Sequence, residues 1–268
     1  MRRLITIAAL LSTVSCTTTA TTDPAAQRLE STPRHNEWVQ VQNGSRTVHT
    51  YVAYPQASTK APAVIVIHEN RGLTDWERSV ADKLAENGFI ALAPDMLSGA
   101  APNGGRTSDF STQDAAREAI GKLPPSQVMT DLHAVANYAK GLPSASGTLH
   151  VGGFCWGGAR TWLFANDRQD LSGAYVFYGT GPQEESGVAR ITAPVFGFYG
   201  GNDARVNATI PRTEELIRAA GKRFEPAIYE AAGHAFMRLG EAADASEANR
   251  RAHDQAWARW LQLLRSQR

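Results

Sequence analysis

The residues best placed to do chemistry lie in positions 150–160, HVGGFCWGGAR. An apolar, strand-like run breaks at glycines, sets Cys155 at the turn and continues into a helix-forming run. This G-x-C-x-G layout is that of a nucleophile elbow, with cysteine where such turns often carry serine. The small neighbours have a physical reason: an abrupt strand-to-helix turn strains the tip residue, and glycine lets neighbouring backbone approach closely. The N-terminal amides of the helix that follows favour a thiolate and a developing oxyanion. A cysteine nucleophile needs a base that holds it as thiolate, and the base needs a carboxylate that fixes its tautomer. His234 and Asp203 suit those two roles, because each follows an apolar run and they come in the order nucleophile, acid, histidine. The other histidines fit less well. His35 and His49 precede the core, and His68 lies upstream of the nucleophile. His133 falls on a helix, His150 inside the elbow strand, and His253 on the polar part of the terminal helix. Singly, the three residues have plainer readings: an inert packed cysteine, a turn aspartate beside Asn202, a surface histidine. Together, in this order and at strand ends, they point to nucleophilic catalysis.

The elements that must position these residues read as an α/β fold with a mostly parallel, doubly wound sheet and helices on both faces. Residues 38–41 and 48–54 alternate apolar and polar about Asn43-Gly44-Ser45, a β-hairpin signal. Residues 63–67 are continuously apolar, as expected of a parallel strand buried on both faces. That run ends in the polar loop His68-Glu69-Asn70-Arg71-Gly72-Leu73, where ligands meet open α/β sheets. Thr74 and Glu77 form a capping box, and Trp76, Val80, Leu84 and Ala85 continue at helical spacing to Gly88. Further strands are expected at 89–93, 148–151, 174–178, 194–199 and 226–229. Helices are expected at 113–122, from Pro124 onward, at 159–166 and at 210–220. A terminal helix carries Trp257, Trp260, Leu261 and Leu264 on one stripe. Residues 98–111 read as a long loop.

The chain has 268 residues, enough for one sizeable domain, expected over 35–268. A hydrophobic content of 43%, a charged content of 20% and a net charge of +1 give no basic footprint for nucleic acid. A monomer is expected. The two cysteines do not suggest a disulfide framework. Residues 1–34 read as an export signal and linker. Arg2 and Arg3 form the basic region, residues 4–11 the apolar region, and Val14-Ser15 precede Cys16. The segment resembles a bacterial lipoprotein signal cut before a lipidated Cys16, although Thr13 stands where leucine is usual. Cleavage after Ala20 is the alternative. Export to the periplasm, or tethering to the outer membrane through lipidated Cys16, is the expected location.

Four stretches in order resemble the dienelactone hydrolases (carboxymethylenebutenolidases) over roughly residue 37 to the C-terminus. They are His68-Glu69-Asn70-Arg71-Gly72, Gly153-Phe154-Cys155-Trp156-Gly157-Gly158, Tyr199-Gly200-Gly201-Asn202-Asp203 and Gly233-His234-Ala235-Phe236-Met237-Arg238. The resemblance implies an α/β-hydrolase fold, a small-molecule ester or lactone substrate, a Cys155-His234-Asp203 triad, a cysteine acyl-enzyme, and no cofactor or metal. It further implies that Glu69 holds the resting thiol until substrate displaces it. The backbone amides of Asn70 and Trp156 would form the oxyanion hole. Arg238 would bind a substrate carboxylate, and Phe236 beside it would meet the substrate. A second carboxylate-binding arginine falls to Arg106 or Arg117, which the resemblance does not separate. Two other readings stay open: a thiol-dependent esterase or thioesterase with a different acyl substrate, and a non-catalytic tethered binding protein on the same fold.

Overall fold

The computed structural model describes residues 23–267. The export-signal and Cys16 expectations lie outside the described residues. The chain forms an eight-stranded sheet of order β1-β2-β4-β3-β5-β6-β7-β8. The hairpin β1 (Asn36–Asn43) and β2 (Arg46–Ala53) turns at Gly44, whose φ of 60° suits glycine. β2 runs antiparallel to β4 (Ile90–Pro94), and every pairing from there on is parallel. The parallel body is β4, β3 (Ala61–Ile67), β5 (Ala145–Phe154), β6 (Gly173–Phe177), β7 (Val195–Gly200) and β8 (Phe224–Tyr229).

Every residue of β3 is buried, because helices cover both faces of the sheet. Ile65 and Ile67 face one layer of the core together with Val135 of α4 (Pro125–Gly141), Trp162 of α5 (Trp156–Asp167) and Leu216 of α7 (Ile210–Ala219). Val64 and Val66 face the other, with Val80 of α2 (Asp75–Glu86) and Trp260 of α9 (Glu247–Ser266). The two remaining short helices of this set are α6 (Ala204–Asn207) and α8 (Phe236–Leu239), both at the carboxyl edge of the sheet. α3 (Gln113–Lys122) closes the segment after β4, where the expected loop contains two short 3-10 turns.

The N-terminal boundary differs from expectation. Residues 24–31, read as part of a linker, form a helix, α1 (Pro24–Ser31), capped by Asp23 and docked on α2. Its apolar contribution is small, with Ala25 buried and Leu29 half-buried. Charge holds the segment instead. The buried Asp82 carboxylate takes Arg28 Nε at 2.7 Å, Thr32 Oγ1 at 2.6 Å, and Arg34 Nε and Nη2 at 2.8 and 2.7 Å. Such a bidentate guanidinium–carboxylate pair fixes geometry as well as energy.

Candidate active site

Cys155 sits between β5 and α5 with φ 55° and ψ −111°, the strained turn expected at the tip of an elbow. Its N–H donates to Phe177 O at 2.9 Å, and its carbonyl accepts from Ala159 N–H at 3.2 Å. The glycines allow this by leaving no Cβ. A Cβ on Gly153 would stand 2.3 Å from Gly157 O, and one on Gly157 would stand 2.4 Å from Ile67 O and 2.6 Å from His68 O. The first turn of α5 therefore lies against the backbone that leads into Glu69 and Asn70.

Asp203 follows β7 and caps α6, its Oδ1 accepting from Val206 N–H at 3.4 Å. Its Oδ2 accepts from His234 Nδ1–H at 2.5 Å, which assigns the proton to Nδ1 and leaves Nε2 for the thiol. The loop carrying His234 is pinned to β7: Asn202 N–H donates to Ala232 O at 2.9 Å and its side-chain amide to Ala231 O at 3.0 Å. Burial pushes the His234 imidazolium down, but hydrogen bonds to Cys155 and Asp203, with their charge, outweigh it and carry the pKa up to about 9. Cys155, His234 and Asp203 are thus brought together.

Glu69 has different partners from those expected. Its Oε2 accepts from Arg238 Nε at 2.8 Å and its Oε1 from Tyr178 O–H at 3.2 Å, so a guanidinium and a phenol, rather than the thiol, satisfy this buried carboxylate. Arg238 is accordingly engaged by Glu69 rather than free. Its charged form is disfavoured by burial and favoured by Glu69, and the net direction is up. Tyr178 has φ 40° and packs edge-on to the His234 ring, with centroids 5.0 Å apart. Burial and the adjacent Glu69 charge hold its phenol well above the ordinary range, so it donates as a neutral O–H. Phe236, expected to meet the substrate, is fully buried against Tyr178 and Tyr229. It packs behind the site, because the left-handed turn at Ala235 sends the start of α8 into the core.

Asn70 and Trp156 lie on the two segments that Gly157 brings into contact. His68 secures that junction. Its Nδ1–H donates to Glu69 O at 2.7 Å, its Nε2 accepts from Met96 N–H at 3.2 Å, and its ring stacks on Trp156 at 5.4 Å and 11°. Burial lowers its pKa, so it stays neutral with both ring nitrogens occupied.

A groove of about 580 Å³ opens beside Arg238, walled by Trp38, Arg71, Trp76, Arg106 and Phe110. Its lining includes Arg238 but not Cys155, His234 or Asp203, so it meets the site at Arg238 and does not enclose the triad. Arg106 lies over the half-exposed Trp38 ring at 4.0 Å, whereas Arg117 pairs with Asp114 on the surface of α3, outside the groove. Arg106 is therefore the better placed of the two candidate arginines. Sequence reasoning passed over Arg71, whose Nε donates to Gln113 at 3.1 Å on the groove wall. It also passed over Tyr178, which read only as the end of a strand. Among the described residues, no group of three His, Cys, Asp or Glu side chains is placed to hold a metal ion.

Comparison with known proteins bears on this arrangement. The family model described as "Dienelactone hydrolase family" matches residues 48–267. A protein of Methylorubrum extorquens named "Putative carboxymethylenebutenolidase" is 35% identical over 204 residues, covering 70% of this chain and 68% of its own. One of the same name from Escherichia coli K12 is 33% identical over 198 residues, covering 69% and 72%. A crystal structure from Klebsiella pneumoniae, described as "Putative Dienelactone Hydrolase", superposes with a TM-score of 0.75 at 27% identity, over 87% of this chain and 98% of that one.

Proposed function

The chain belongs to the dienelactone hydrolase family and is a hydrolase of carboxylic esters or lactones, and on that premise we propose that it works through a Cys155 acyl-enzyme. The observation that carries the proposal is the convergence of a strained elbow cysteine with a histidine whose Nδ1–H is held by Asp203 at 2.5 Å. His234 Nε2 takes the thiol proton to form an imidazolium–thiolate pair, and Cys155 Sγ then attacks the carbonyl carbon. The charge on the carbonyl oxygen is met by the amides of Trp156 and Asn70. The C–O bond breaks, the leaving alkoxide takes the proton from His234, and the acyl group remains as a thioester. Water then attacks the thioester, His234 takes its proton, and the thiolate leaves and recovers that proton. Asp203 keeps the imidazole in the tautomer that serves both halves. In the resting pair the raised His234 pKa, about 9, keeps the transferred proton on the imidazole while the thiolate attacks.

A substrate carboxylate is received by Arg238, in competition with Glu69, and the groove beyond it takes the rest of the substrate. Among the described residues the Arg71 guanidinium bonds Gln113 and the Arg106 guanidinium stacks on Trp38, and neither forms an ion pair with a carboxylate. Cys155→Ala tested with p-nitrophenyl acetate and with a carboxylate-bearing dienelactone decides the matter. Loss of turnover on both is expected, and retained turnover refutes the proposal.

A further inference from the structure

Two buried carboxyl groups stand beside one guanidinium. Glu69 is 2% exposed and Glu77 is 1% exposed. Glu69 takes Arg238 and Tyr178. Glu77, on the first turn of α2, reaches no cation among the described residues. Its Oε1 accepts from Glu69 N–H at 3.1 Å, and its Oε2 accepts from the N–H and the hydroxyl of Thr74 at 3.0 and 2.5 Å. Glu77 therefore fixes the backbone of the loop that carries Glu69 and Asn70, while its own charge is balanced only at a distance by Arg238.

The groups around it are few. Thr74 belongs to its own cap, and Glu69 and His68 come from the β3–α2 loop, with Asp95 beyond His68. Tyr178 comes from the end of β6 and Arg238 from α8, with Cys155 and His234 across Tyr178. His68 and Tyr178 stay neutral and Arg238 stays charged. Burial, and then the Glu69 charge, push the Glu77 carboxyl up to about 7, against the pull of hydrogen bonds from Thr74 and from Glu69 N–H.

We propose that Glu77 is a proton-linked positioning residue. When the carboxylate of an anionic substrate takes Arg238 from Glu69, Glu77 takes up one proton from solvent and returns it when the product leaves. This step rests on Arg238 receiving the substrate anion, as proposed above. Without the proton, three carboxylates would share one guanidinium in a buried space. The local geometry accepts the proton without movement. A proton on Oε2 faces Thr74 Oγ1 at 2.5 Å, and that hydroxyl accepts as readily as it donates. Oε1 keeps the Glu69 amide, so the loop stays in place while the charge changes.

The sign follows from linkage. Below the Glu77 pKa of about 7 the proton is already present, and an anionic substrate binds without uptake. Above it, each binding event must draw a proton from solvent, so the KM of anionic substrates rises with pH. The test compares mono-p-nitrophenyl glutarate with the neutral p-nitrophenyl valerate across about pH 6 to 9.5. The ratio of the anionic to the neutral KM is expected to be flat below about pH 7 and to climb above it by up to about tenfold per pH unit. In Glu77→Gln, whose amide oxygen keeps one backbone contact, that slope is expected to vanish. Calorimetry of glutarate binding to the wild-type protein in two buffers of different ionisation enthalpy gives a readout that needs no variant. Net proton uptake above the Glu77 pKa supports the proposal, and no uptake overturns it. A slope that persists in Glu77→Gln places the proton on another group and also overturns it. Arg238→Met separates the two levels. If it leaves the low-pH ratio unchanged, the anion does not bind Arg238 and both readings fall. If it raises the ratio while Glu77→Gln keeps the slope, only the role of Glu77 falls.

Discussion

Gly157→Ala puts one methyl group between the two segments that the proposed oxyanion hole requires. The new Cβ would stand 2.4 Å from Ile67 O and 2.6 Å from His68 O. Ordinary contact begins at 3.4 Å, so one side must retreat by ~1 Å. Neither side yields easily. Ile67 is fully buried and paired with Gly153 in the sheet, and His68 is fixed through both ring nitrogens. The displacement falls on the Trp156 and Asn70 amides that flank the clash. Overpacking of this kind costs about 1–3 kcal/mol of stability. Loss of one oxyanion donor costs about 10²–10³ in kcat. Gly157→Ala is therefore expected to lower kcat on p-nitrophenyl acetate by about a hundredfold with a small change in KM, and to lower Tm. Gly121→Ala is the matched control. Its Cβ would meet nothing within 4 Å, and it lies in α3 away from the elbow, so kcat should hold and Tm should stay level or rise. A Gly157→Ala protein with kcat within about threefold of wild type would refute the reasoning, because the oxyanion site would then not depend on this junction.

Asp82→Asn is expected to cost about 3 kcal/mol in urea unfolding, since it strips a buried carboxylate from Arg28 and Arg34; a loss below about 0.5 kcal/mol would mean that α1 is not held by charge. His234 should show in the pH dependence of stability. Its folded pKa is raised from 6.5 to about 9, so its contribution is full below 6.5 and is lost as pH rises through about 9. Tm should therefore fall across that window, and fall less in His234→Gln; identical profiles would count against the His234 environment described here.

The elbow was legible because a strand-to-helix turn of this tightness tolerates only glycine around its tip, and glycine is visible in a sequence. Asp203 and His234 were legible because apolar runs mark strand ends and the order of residues survives folding. The capping box at Thr74 and Glu77 was legible as local spacing, and it is present. What that spacing could not show is the third bond of Glu77, to the amide of Glu69, which exists only once the loop folds back over α2. Tyr178 escaped notice for a similar reason: its partner Glu69 lies 109 residues away, and its left-handed φ is a property of the folded turn. Phe236 was misplaced because adjacency to Arg238 says nothing about which side chain the turn at Ala235 buries. α1 shows only Ala25 and Leu29 as an apolar face, too little to reveal it, and its main anchor, Asp82, is contributed by another helix.

The most direct measurement is covalent trapping. The protein would be mixed with p-nitrophenyl acetate, quenched in acid during turnover and peptide-mapped by mass spectrometry. An acetyl group on the peptide carrying Cys155 is expected. More of that adduct is expected in His234→Ala relative to its turnover, because water then lacks its base. An acetyl group on another residue, or full turnover in Cys155→Ala with no adduct in the wild type, would contradict a Cys155 acyl-enzyme.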